Sequence, residues 1–106
     1  MRHDVADVMT EGGDVAILGD NLFVELDTSA ANLPPGTEVH VGATRCVVTP
    51  APHNGCNKFA ARVGLDALKL TASPEWRPQQ LRGVHLRVVV GGVVRPGDPV
   101  VVARRA

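Results

Sequence analysis

The stretch Pro52-His53-Asn54-Gly55-Cys56-Asn57-Lys58-Phe59 brings a thiol, an imidazole and an ammonium group together within eight residues, beside a turn dipeptide. Asn54 and Gly55 both tolerate positive φ, so Cys56 is expected just beyond a tight reversal. Asn57, or Asn54 one turn earlier, can cap a short helix in which Phe59 and Val63 are spaced i, i+4 and Gly64 is the stop. Cys56 then lies at a helix N-terminus, where unpaired backbone amides and the macrodipole favour an anion, and the thiolate is the reactive form of cysteine. His53, Lys58 and Arg62 set basic groups around a first helical turn that ordinarily prefers acidic ones. A thiolate or a bound anion would relieve that mismatch. The alternative is an inert small hydrophobe under a loop, with the bases solvated.

Other candidates are weighed by the elements that carry them. Arg82 precedes Gly83, whose lack of a side chain lets the backbone come close, and a planar guanidinium offers a fork to an oxyanion. Arg82 is therefore expected in the same cleft as Cys56, the alternative being a surface salt bridge. Cys46 shares the register of Val48 and reads as a core cysteine. His40 faces outward with Glu38, and zinc-type ligand spacings are absent throughout the chain.

The scaffold around these residues reads as mainly β. Val39 and Val41 alternate with Glu38 and His40, Gly42-Ala43 turns, and Cys46 and Val48 alternate with Arg45 and Val47, which predicts a hairpin with one buried face. Val84, Leu86, Val88 and Val90 predict a further strand, Val93-Val94-Arg95 another, and Val100 to Ala103 the last. Val15 to Leu18 and Asn21 to Leu26 are β-rich runs and predict a strand pair or one bent strand. Asn32-Leu33-Pro34-Pro35-Gly36 is a turn, because its two prolines have no amide to give to a ladder. Short helices are expected at Val5, Val8 and Met9, ending at Gly12-Gly13, at Leu65 to Leu70, and after Ser73, with Pro74 in the first helical position. Six or so short strands with little helix predict a small barrel.

Composition excludes several function classes. A chain of 106 residues fits one domain, and 11 basic against 11 acidic residues leave no global field for nucleic acid or an anionic membrane. With no Tyr, two Phe and one Trp, the stacking platforms of single-strand binders cannot be assembled. No run approaches the length of a membrane span, and aspartates at positions 4 and 7 interrupt any signal-like start. Two cysteines do not make a disulfide framework, so free thiols in a reducing, cytoplasmic setting are expected.

Several segments in order carry a resemblance. Gly19-Asp20-Asn21-Leu22 is similar to a Gly-Glu-Asn-Leu segment, and Leu33-Pro34-Pro35-Gly36-Thr37 with Val41-Gly42 to the turn and hairpin that follow it. Arg82-Gly83-Val84 is similar to an Arg-Gly step into the penultimate strand, and Val93-Val94-Arg95-Pro96-Gly97-Asp98 to a closing Gly-Asp turn. Across residues 19 to 103 the chain thus resembles the MOSC domain family, the C-terminal domains of molybdenum cofactor sulfurases and their small stand-alone relatives, and Cys56 sits where the family has its characteristic cysteine. The resemblance implies a barrel-like, pyruvate-kinase-barrel-like fold with one or two short helices over residues 19–106, after a short N-terminal segment, 1–18. It implies Cys56 as a sulfur carrier or as a thiolate ligand to the molybdenum of a pterin cofactor (molybdopterin), tasks that suit a soft thiolate. His53, Asn54, Lys58, Arg62 and Arg82 would surround the bound group, and a sulfur donor or acceptor protein would be the partner.

Family members carry a longer leading segment with a His-Gly-Gly region that helps to form the cleft, and this chain has almost none of it. The barrel is then either trimmed or completed by a second chain. A homodimer through edge strands or an exchanged N-terminal segment is the expectation. Three readings stand: sulfur or cofactor handling by Cys56, a non-catalytic module that holds a small anion through His53, Lys58, Arg62 and Arg82, and a dimeric structural or partner-docking barrel.

Overall fold

The computed structural model describes residues 1–18, 20–51, 64, 69–70 and 73–105, with Ile17 described by its backbone alone. The hairpin forms where the alternation predicts it, from β1 (Glu38–Val41) and β2 (Thr44–Val48), with Val39 opposite Cys46. The turn between them needs glycine: Gly42 has φ +54°, and a Cβ there would stand 2.7 Å from an Asp98 carboxylate oxygen. Asp98 itself accepts the Arg95 amide at 2.8 Å, so the closing turn is tied down against the hairpin tip.

Two further strands flank the hairpin, β3 (Leu86–Val90) beside β2 and β4 (Val100–Arg104) beside β1. The result is a four-stranded antiparallel sheet in the order β3-β2-β1-β4. Among the described residues this sheet is open, with β3 and β4 at its two edges, so a closed barrel is not confirmed. Each edge strand carries one extra residue. Cys46 faces Val88 but Arg45 faces Val90, leaving Val89 over, and Val39 faces Val102 but Glu38 faces Arg104, leaving Ala103 over. Such bulges bend and twist an edge away from further pairing.

The runs expected to supply the remaining strands do other things. Val15–Leu18 is a 3-10 helix, because the Asp14 carboxylate accepts the Ala16 amide at 2.9 Å and starts a helical turn that outweighs the β propensity of the run. Residues 21–26 form no ladder and make a single parallel bridge, in which His3 donates to the Val24 carbonyl at 2.8 Å and Val24 to the Met1 carbonyl at 2.9 Å. Residues 93–95 run as irregular chain towards the closing turn. After Ser73 there is a turn, with Trp76 and Arg77 both donating to the Ser73 carbonyl, and then a 3-10 helix, Arg77–Gln79. The expected helix starting at Pro74 is therefore absent. Lys69 and Leu70 are helical, and the rest of the Leu65 to Leu70 expectation lies outside the described residues.

Helix α1 (His3–Met9) forms as its spacing predicts, but its buried face is centred differently. Ala6 is fully buried, with Val5 and Met9 packed beside it against Leu18 and Phe23, whereas Val8 is rotated off that face and 76% exposed. The larger core lies on one face of the sheet, where Val39, Val41, Cys46 and Val48 meet Leu33. Leu33 reaches it from a loop held by Asp27, whose carboxylate accepts the Ser29 amide at 2.9 Å, while Leu33 donates to the Ser29 carbonyl at 2.8 Å. The Ser29 amide holds the Asp27 carboxyl below its ordinary value.

Candidate functional site

Beneath the sheet lies a cavity of about 500 Å³, walled by Val39, Val41 and Cys46 from the hairpin and by Leu33 from the covering loop. Part of its wall is charged. Arg82, 8% exposed, donates from a terminal guanidinium nitrogen to Asp20 Oδ1 at 3.0 Å, and the Asp20 side chain is itself 5% exposed. The Met1 amino group lies 3.6 Å from Asp20 Oδ2 and donates to the Leu22 carbonyl at 2.9 Å. Burial pushes this amine below its ordinary value, and the Asp20 charge pulls the other way.

The Arg-Gly step explains how these groups come together. Gly83 has φ +91°, and a Cβ there would stand 3.1 Å from the Met1 backbone, so only glycine lets the two chains approach while Arg82 turns inward. Arg82 is therefore neither a surface salt bridge nor a bare cation offered to an oxyanion, since Asp20 already answers its charge. A buried pair of this kind gains little over two apolar residues, but leaves a costly unpaired charge when one member is removed.

Cys46 is where the alternation predicts it, 4% exposed in the core. Its sulfur lies 3.5 Å from Thr44 Oγ1, and the Thr44 hydroxyl spends its own proton on the Val41 carbonyl at 2.7 Å. His40 faces outward as expected, its Nε2 3.4 Å from Glu38 Oε2, with Arg45 on the other carboxylate oxygen at 3.5 Å.

His53, Asn54, Cys56, Lys58 and Arg62 lie outside the described residues, so the expected juxtaposition of Arg82 with Cys56 does too. Sequence reasoning missed Asp20 as a partner for Arg82, because the two are 62 positions apart and no local spacing rule connects them. The one signal was that Asp20 holds the acidic position of the Gly-Asp-Asn-Leu segment.

A family model described as the MOSC domain matches residues 2–101. The chain belongs to the MOSC domain family. Comparison with curated proteins and with solved structures returned no match. For this MOSC domain, membership suggests a role related to molybdenum cofactor sulfurases. Among the described residues, no group of three or more His, Cys, Asp or Glu side chains is placed to hold a metal ion. The one described thiol, Cys46, is buried among the valines of the core, away from the Asp20 and Arg82 charges. The described residues alone therefore do not make a molybdenum site. Among them no helix is long and apolar enough to cross a membrane.

Proposed function

We infer that this MOSC domain handles sulfur through a thiolate at Cys56, as a carrier between a donor and an acceptor protein in a reducing, cytoplasmic setting, with the molybdenum cofactor as the group it serves. The reading is supported by the family match over residues 2–101, together with the resemblance of the Pro-His-Asn-Gly-Cys-Asn-Lys-Phe stretch, which would make Cys56 the family's characteristic cysteine. It is supported by Cys46, which is withdrawn into the core and leaves Cys56 as the thiol available for chemistry. In the transfer step the Cys56 thiolate attacks the outer sulfur of a persulfide. One S–S bond forms as another breaks, the donor leaves as its thiolate, and no external oxidant is consumed. His53, Asn54, Lys58 and Arg62 would stabilise the anion before and after transfer. Arg82 contributes to this site by holding Asp20 and the backbone around Gly83, since its charge is already compensated.

The test is incubation of the reductant-free protein with a small-molecule persulfide, followed by intact-mass and peptide mass spectrometry. Cys56 is expected to gain one sulfur atom, and Cys56→Ser protein to gain none. Labelling of Cys46 instead, or equal labelling of the Cys56→Ser protein, overturns the reading.

A second reading concerns assembly. Val88, Val89 and Val90 on β3 and Val101 on β4, the two edge strands, are exposed large hydrophobics, as are Val93 and Val94 in the chain that follows β3. This favours a homodimer that covers them. The bulges at Val89 and Ala103 argue that the contact is between apolar faces rather than through a continuous inter-subunit ladder. Light scattering tests it: a mass near 11.2 kDa at micromolar concentration excludes a stable dimer, and twice that supports one.

A further inference from the structure

The face of the sheet turned away from the core carries an excess of positive charge. Side chains alternate across a strand and directly opposed residues share a face, so the register sets two rows of side chains on the side away from Leu33. One row is Arg87 on β3, Val47 on β2, Glu38 on β1 and Arg104 on β4, and the next is Val90, Arg45, His40 and Val101 in the same strand order. The three arginines meet a single carboxylate. Glu38 is shared by Arg45 at 3.5 Å and His40 at 3.4 Å, and neither Arg87 nor Arg104, both exposed, has an ion-pair partner among the described residues. The whole chain carries no net charge, so the excess belongs to this face.

We propose that this face docks a partner protein through an acidic segment that presents two carboxylates on either side of an apolar side chain. Charge selects the carboxylates. Arginine offers a planar fork that matches a carboxylate, and Arg87 and Arg104 stand at the two ends of one row, three strand spacings or about 14 Å apart. An extended segment covers that span in about four residues, so positions i and i+4 of the partner, which share a face, reach both. Composition selects protein over phosphate. Three arginines and no lysine, set among Val47, Val90 and Val101, match protein interfaces, where Arg is enriched and Lys depleted, and the two rows hold no aromatic side chain to stack a base. A second copy fits less well, because it sets three guanidinium groups against three with one carboxylate on each side, already shared. A dimer through Val88, Val93 and Val94, on the core side of β3 and in the chain beyond it, leaves both rows open. Docking does not use Cys56, so it stands or falls separately from sulfur handling.

The probe is a peptide of sequence Ser-Glu-Ser-Val-Ser-Glu-Ser with blocked ends, and its counterpart carries Gln in place of both Glu. Each is titrated at low salt into the full ¹⁵N-labelled chain under reducing conditions and followed by NMR, with phosphatidylserine vesicles and a single-stranded DNA run beside them. At millimolar concentration the Glu peptide is expected to shift the amides of Arg45, Val47, Arg87 and Arg104, to do so more than the Gln peptide, and to lose its effect as salt is raised. Arg87→Glu combined with Arg104→Glu should abolish these shifts, and Arg87→Gln combined with Arg104→Gln, which adds no like charge beside Glu38, should weaken binding at least about threefold. Lys69→Glu, outside the two rows, should leave the shifts as they are. Light scattering should give the Gln double variant the same mass as the parent. Equal shifts with the two peptides, shifts that cluster elsewhere, no shift at millimolar peptide, or tighter binding of the vesicles or the DNA overturns the proposal. A changed mass also overturns it, because the face then belongs to self-association.

Discussion

Replacing Arg82 by Met keeps most of the side-chain volume and removes the charge that Asp20 faces. The guanidinium lies 3.0 Å from Asp20 Oδ1, and the two side chains are 9% and 5% exposed, so solvent cannot replace the lost partner. Breaking a buried pair from one side costs roughly 3–5 kcal/mol. Here the Met1 amine, at 3.6 Å from the other carboxylate oxygen, offsets part of this and places the expectation at the lower end. Against a total stability of about 5–15 kcal/mol for a domain, such a loss is large. In urea, with an m-value of roughly 1–3 kcal/mol/M, the unfolding midpoint of Arg82→Met should fall by about 1–3 M at neutral pH. Adding Asp20→Leu to the same protein removes the orphaned charge and should restore most of the midpoint, since apolar replacements of buried pairs are often neutral or stabilising. A loss below about 1 kcal/mol for the single variant, the range of exposed pairs, would refute the burial argument. So would a double variant no more stable than the single one.

Three further outcomes follow from particular residues. In Cys56→Ser protein, Cys46 should be alkylated far more slowly than in the urea-unfolded chain, while in Cys46→Ala protein the alkylation rate of Cys56 should rise with a midpoint below the ordinary thiol value of about 8.5. Equal Cys46 rates in both states would remove it from the core. Gly42→Ala should destabilise by about 1–3 kcal/mol, because φ is +54° and the new methyl meets Asp98 at 2.7 Å. Gly12→Ala, at φ +78° with nothing within 4 Å, bears only the backbone cost and should melt at the higher temperature of the two. Asp27 has its folded pKa lowered by the Ser29 amide, so its contribution is present above the unfolded carboxylate value and is lost as pH falls through the lower folded value. Asp27→Asn should therefore flatten the acid limb of a melting-temperature profile below about pH 4, and an unchanged acid limb would count against the Ser29 contact.

The hairpin was legible in the sequence because period-2 alternation in Glu38–Val41 and Thr44–Val48 states directly which side chains share a face, and Gly42 marks the reversal. The same logic assigned Cys46 to the core and His40 to the outside. It also located β3 and β4, although not their bulges, which depend on how a strand twists against its neighbour. Local pattern failed at Val15–Leu18 and at residues 21–26. There one Asp14 side-chain cap and the lack of a neighbouring ladder outweighed β propensity, so the described residues form fewer strands than expected and do not confirm closure into a barrel. Whether a strand exists is settled by what lies beside it, and that is a property of the assembled chain. The candidate site divides in the same way. Arg82 and the close approach at Gly83 could be named from the dipeptide, since glycine is needed wherever two backbones nearly touch. That the partner is Asp20, that both are buried, and that the Met1 amine stands beside the same carboxylate were decided only by tertiary structure, because charge pairing across 62 positions leaves no periodic trace in a single sequence.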